Sequence, residues 1–194
     1  MPQEASEISA EEIVRFWEET GPENWYAVSP ALDATITRRF GAAWERAATG
    51  AFRDWLGTPR GALAYLILTD QFPRNMFRGD ARAFATDAMA RDAAIVALHR
   101  GHDLDLPEPI RQFFYLPFMH AESTFDQDRC VCLMLTRMPQ TGASNLHHAR
   151  AHRAVIRRFG RFPYRNAALG RKSTPHEQAF LEAGGYAATV AELA

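Results

Sequence analysis

The chain has 194 residues, 47% of them hydrophobic, with a formal net charge of −1. That length predicts one helical domain over 1–194 and is enough for a sizeable core. The start MPQEASEISAEE lacks the basic and apolar regions of a secretory signal, and the longest apolar run, Gly61–Leu68, is too short to span a bilayer. A cytoplasmic protein with no membrane partner is the expectation.

Residues 1–8 read as a frayed or disordered start. Ser9-Ala-Glu-Glu12 is a capping box opening a helix with Ile13, Val14, Phe16 and Trp17. Ser29-Pro30 opens a second, with Leu32, Ile36, Phe40 and Trp44 at helical spacing. Thr58-Pro59 repeats the device before Leu63, Leu66 and Ile67. This third helix runs into Gln71-Phe-Pro-Arg-Asn75. The residue before a proline is pushed out of the α region, so Phe72 is expected to end the helix. Arg74 can then reach the exposed carbonyls, and Asn75 can take a left-handed turn.

A helix from Thr86 or Asp87 should stop at Gly101. The segment Ile110–His120 reads as two short turns broken at Pro117. Thr124 to Met138 is apolar nearly all round, which predicts a central buried helix. Ser144 can cap a helix to about Phe159. It leads to Arg161-Phe-Pro-Tyr-Arg-Asn166, a second copy of the exit turn, as duplication or as reuse of a good stop signal. Thr174-Pro-His-Glu177 is another capping box, opening a last helix that ends at Gly184-Gly185. No strand alternation is apparent. About eight helices with short connections define an all-α fold.

Polar groups on apolar helix faces mark where chemistry can sit. Asp70 projects between Leu66 and Ile67, and a buried carboxylate needs a partner, such as Arg74 or an arginine of RFPYRN. A purely structural Asp–Arg clamp is the alternative. His120 and Glu122, at a break between helices, form a candidate acid–base pair, or else a helix cap and a surface carboxylate. Gln127 points inward with Val131 and Met134. His148 and His152 share the face of Val155 and Ile156. Such i, i+4 histidines can hold a metal, but without the intervening Glu of the zinc-protease motif they read as core histidines, and no metal site is assigned.

Cys130 and Cys132 read as reduced core thiols. Between Asp128 and Glu177 the chain holds ten basic residues and no acid. That stripe is either a solvated helix face or an anion-binding surface; with no recognisable nucleic-acid motif, RNA is a minor reading.

The stretches LTDQFPRNMFRG with ARAFATD, FFYLPFMHAES with Gln127, and RFGRFPYRNAALGRKST resemble the bacterial family catalogued as domain of unknown function 924. The resemblance runs from about Val14 to Leu181. It implies a tetratricopeptide-like right-handed stack of antiparallel helix pairs, and brings no activity and no cofactor. The pattern matches at Asp70, Gln71, Arg74, Asn75, His120, Glu122, Gln127, His152, Arg161, Arg165 and Asn166. It departs at Ala121, where the family has Ser, and at Tyr164, where it has His.

Together these place a polar pocket between the two Phe-Pro turns and the His120–Glu122 break. It would bind a small anionic ligand through Arg74, Arg161 and Arg165. Gln71, Asn75, Gln127 and Asn166 would line it, and Asp70 and His152 would orient His120 and Glu122. A scaffold gripping a peptide or protein partner is the alternative.

Overall fold

The structure, a computed structural model, describes residues 8–193, so most of the expected frayed start (1–7) lies outside the described residues. Those described are helical, with no strand among them. Helix α1 (Ala10–Thr20) is capped by the Ser9 hydroxyl, which accepts from the Glu12 amide at 3.2 Å. Only half of the predicted box forms, because Glu12 turns to Arg39. Helix α2 (Pro30–Ala48) starts at Ser29 and buries Ile36, Phe40 and Trp44.

Helix α3 (Pro59–Leu66) starts at Thr58 and does not end at Phe72. It passes through a π-turn over Ile67–Gln71 into α4 (Phe72–Met76), with Pro73 in the first turn of α4. Phe72 keeps helical angles, φ −57° and ψ −39°. The wider π-turn shifts the hydrogen-bond register, so Pro73, which has no N–H to give, fits where an ordinary helix would break. Gly61 is required here, since a Cβ would lie 2.2 Å from the Trp55 carbonyl oxygen.

Helix α5 (Asp87–His99) is followed by a 3-10 turn, Ile110–Phe114, and the short α6 (Leu116–Met119). The break between the last two falls at Tyr115; Pro117 sits in the first turn of α6 instead of interrupting it. Helix α7 (Thr124–Arg137) is not buried all round: Phe125 is 74% and Leu135 57% exposed, and Cys132 is exposed while Cys130 is buried.

Helix α8 (Ala143–Phe159) starts one residue before Ser144, with Gly142 as its cap. A Cβ on Gly142 would lie 2.3 Å from that of Met138, so the tight corner excludes a side chain. Helix α9 (Pro175–Glu182) carries the full predicted capping box of Thr174 and Glu177. Gly184, left-handed at φ 98°, ends it, and a further helix, α10 (Gly185–Glu192), continues beyond the predicted stop. Both asparagines of the paired turns have right-handed backbones; among the described non-glycine residues only Phe52 has a positive φ.

Packing follows the apolar faces. Helix α1 lies on α3, α2 on α4, α3 on α5, α6 on α7, and α7 on α8, while α8 takes α10 on its other side. Phe72 stacks on Phe40 at 4.7 Å and meets Trp17 edge-on at 5.6 Å. A smaller cluster of Val155, Ile156, Phe162 and Phe180 forms around the second Phe-Pro turn. The His120 turn lies beside the π-turn, α5 and α8, which sets the position of the site.

Candidate functional site

Asp70 has no exposed surface and lies in the π-turn. Its two carboxylate oxygens lie 2.9 and 3.0 Å from Nδ1 of His120. Gln71 donates its amide to Oδ2, and Arg74 stands 3.5 Å from Oδ1. Burial pushes the Asp70 pKa up, but Arg74 and His120 outweigh it and hold the acid at about 2. An ionised carboxylate only accepts hydrogen bonds, so His120 Nδ1 carries the proton. Burial, then Arg74, pulls His120 below its ordinary pKa against the pull of Asp70. The ring is therefore neutral near pH 7, with an unprotonated Nε2 that has no protein hydrogen bond.

Gln127 sets the main chain that carries this ring. Its amide nitrogen lies 2.6 Å from the Met119 carbonyl, 2.9 Å from that of Ala121 and 3.3 Å from that of Phe118. The Met119 and Ala121 carbonyls take no backbone N–H in this turn, whereas that of Phe118 already accepts from the Ala121 amide. Gln127 is thus a positioning residue for His120, not a lining residue.

Around this centre the second Phe-Pro turn supplies Arg165. Its side chain is 8% exposed and makes one hydrogen bond, to Asp87 at 3.2 Å. Its guanidinium is sandwiched between the Phe84 and Phe162 rings, 4.5 Å from each centroid. Burial and the neighbouring Arg74 lower its pKa, with Asp87 opposing. Arg74 bridges the turn as predicted: it donates to the Asp70 carbonyl at 2.5 Å and to Asp87 at 2.9 and 3.1 Å. One carboxylate, Asp87, thus serves two arginines. Arg165, His120, Asp87 and Glu122 line a cavity of about 300 Å³.

Glu122 does not meet His120 in a hydrogen bond. Both its oxygens go to Arg171, at 2.6 and 2.9 Å, and one also accepts from the Phe162 amide at 2.8 Å. Burial raises its pKa, but Arg171 and the Phe162 amide together lower it further. Glu122 therefore clamps the Phe-Pro turn, and the acid–base partner of His120 is Asp70. Asn166 belongs to the same clamp, accepting from Arg171 at 2.9 Å and donating to Ser173 at 3.1 Å. Asn75 faces away and ties α4 to Asp33 of α2.

Arg161 leaves the site altogether. It makes a two-pronged ion pair with Glu177 at 2.6 and 2.7 Å and lines an open groove of about 630 Å³ whose walls do not include His120. Of the acid-free interval's other arginines, Arg137 meets Asp103, and Arg153 and Arg157 meet Asp128. The stripe is in large part answered by acids from elsewhere in the chain.

His152 lies on the other side of His120, ring centroids 6.4 Å apart. It joins a second cavity of about 240 Å³ that His120 also lines, with Leu116 and Met119 as apolar walls. Tyr186 of α10 bridges His148 at 2.8 Å and His152 at 2.9 Å. Among the described residues no group of three or more His, Cys, Asp or Glu is placed to hold a metal. Nor is any described helix long and apolar enough to cross a membrane.

Asp70, Gln71, Arg74, His120 and Arg165 come together as expected, with His152 adjoining. Asp87, Phe84, Tyr26 and Tyr186 were not foreseen as site residues. Asp87 reads in sequence as a helix start, and Tyr26 lies in a loop with no periodicity to give its direction.

The helical fold that carries this buried Asp–His pair is that of a known family. The profile of DUF924, described as a bacterial protein of unknown function, matches residues 13–185, and the chain belongs to that family. A solved structure, that of a protein of unknown function, ATU0120, from Agrobacterium tumefaciens, is 45% identical. The match covers 89% of this chain and 96% of that one, with a TM-score of 0.84. No curated protein matches.

Proposed function

We propose that the protein binds a small anion beside Arg165 and uses His120 as an acid–base group on what is bound. The observation that carries this is the Asp70–His120 pair: a fully buried carboxylate on one ring nitrogen fixes the tautomer and leaves the other nitrogen free to take a proton. Arg165 supports the anion. A guanidinium offers five N–H donors, and this one commits a single donor to a carboxylate it shares with Arg74. The role of general base passes to His120 alone, with Asp70 orienting it. The reading includes a single domain and a cytoplasmic setting, and treats the helix pairs as a tetratricopeptide-like stack. A second reading, a scaffold for a peptide, rests on the exposed Phe125 and Leu135 of α7.

The test is calorimetric titration with inorganic phosphate and with succinate at pH 6, in buffers of different ionisation enthalpy. An anion beside the imidazole raises its pKa, so binding should draw a proton onto His120. The wild type and Arg161→Ala should bind at least one of these anions with proton uptake. Arg165→Ala should lose about 1.5–3 kcal/mol of affinity, the worth of a charged hydrogen bond. His120→Gln should bind without proton uptake. Equal binding by wild type and Arg165→Ala, or uptake that survives His120→Gln, overturns the reading.

A further inference from the structure

The second cavity beside His120 differs in chemistry from the first. No arginine and no carboxylate lines it; its polar groups come from Tyr26, Ser144, Asn145, His148, His152 and Tyr186, together with His120. Their hydrogen bonds fix which way each group faces.

His152 Nδ1 lies 2.9 Å from the His148 carbonyl. A carbonyl can only accept, so Nδ1 carries the proton. The Tyr186 hydroxyl, 2.9 Å from the same nitrogen, then accepts from it and gives its own proton to His148 Nδ1. His152 Nε2 is a bare acceptor without a protein partner. The same logic leaves His120 Nε2 bare. Gln112 settles two more groups. Its Nε2 donates to the Pro109 carbonyl at 2.8 Å, so its Oε1 is the acceptor on the other side. That oxygen takes the Tyr26 hydroxyl proton and a proton of the Asn145 amide. With Asn145 also in hydrogen-bond reach of the Tyr26 oxygen, one lone pair of that oxygen and Asn145 Oδ1 are left as acceptors. Tyr26 is 56% exposed as a residue, yet it lines the cavity and its hydroxyl is tied to Gln112.

Four acceptors thus border one small, largely apolar space. Its volume of about 240 Å³ is worth about eight waters at roughly 30 Å³ each. A cation is a poor occupant. No carboxylate lines the space, so a cation would give up its water with no charged partner in return. An anion finds no charged donor there.

We propose that this cavity is a binding compartment for a small neutral molecule with an apolar body and at least two O–H or N–H donors, held by His120 and His152. It goes beyond the anion site proposed above and shares only His120 with it.

Resorcinol is a suitable probe, because it pairs an apolar ring with two hydroxyl donors. 1,3-Dimethoxybenzene keeps the ring and removes both donors. The ring ¹⁵N signals of His120 and His152 are followed by NMR during titration with each. Resorcinol should shift the Nε2 signals of both rings, and 1,3-dimethoxybenzene should bind at least tenfold more weakly. Ser144→Trp places a bulky ring at an exposed position on the cavity wall and should weaken resorcinol at least tenfold. Arg165→Ala should leave resorcinol binding unchanged. Equal binding of the two probes overturns the proposal, as does resorcinol binding that Ser144→Trp leaves intact, or no shift up to the solubility limit. Urea unfolding of Ser144→Trp beside the wild type checks that the variant is folded. Failure of the phosphate arm in wild type counts against the anion site alone, because resorcinol reports on this cavity independently.

Discussion

Asp70 and His152 both make the fold acid-sensitive, for different reasons. His152 has its pKa pushed down from 6.5 to about 3, mainly by burial. It stays neutral in the fold while an unfolded chain would protonate it. Its contribution is complete above pH 6.5 and is lost as pH falls toward 3, at most about 2 kcal/mol by pH 5. His120 and His148 are depressed in the same direction and add to that window. Asp70 is held at about 2 against an ordinary 3.8, so its contribution is present above pH 4 and fades between pH 4 and 2. Urea unfolding followed from pH 7 to 2 should show stability falling across both windows. His152→Gln should flatten the upper part and Asp70→Asn the lower; an unchanged slope in both variants would contradict the assignment. Asp70 was legible as an inward carboxylate from its position between Leu66 and Ile67. That its partner is His120, fifty residues on, depends on where the end of α6 meets the π-turn, and no local pattern encodes that.

Among the helices, the capping signals were the most readable. Thr58 and Thr174 cap as predicted, because a hydroxyl at the N-terminus bonds an amide only three residues away. The longer-range devices were not. Gln127 was visible as an inward polar group, but its role depends on where the end of α6 arrives. Gln127→Leu keeps the volume and removes the donors to the carbonyls of Met119 and Ala121. It should cost about 1–3 kcal/mol in urea unfolding and weaken phosphate binding without any change at Arg165. Retention of full stability would mean that water satisfies those carbonyls instead. The apolar run of α7 was misread for a related reason: hydrophobic residues on every side do not force burial, and Phe125 and Leu135 stay in solvent.

The molecule as a whole is tied across large sequence separations by arginine–carboxylate pairs. Arg171 joins Glu122, forty-nine residues away, and also donates to the Phe162 carbonyl at 3.1 Å. Arg171→Ala removes this clamp from the second Phe-Pro turn and should destabilise the protein by about 1–3 kcal/mol. Arg150→Ala, at an exposed position of the same basic interval, should stay within about 0.5 kcal/mol in the same urea titration. If the two variants behave alike, the clamp is not what holds the turn. The excess of positive charge between Asp128 and Glu177 was plain in the sequence. Its distribution was not: six of those arginines find acids that sit elsewhere along the chain, and only folding pairs them.

The π-turn at Ile67–Gln71 has a bearing on ancestry. One extra amino acid in an otherwise regular helix makes such a turn, and each amino acid swings the remainder of the helix by roughly 100°. A homologue shorter by one position between Pro59 and Met76 would keep a straight rod but carry its aspartate off the histidine. A single-codon gap in genomes at this spot would therefore separate lineages in which the aspartate and the histidine meet from those in which they do not.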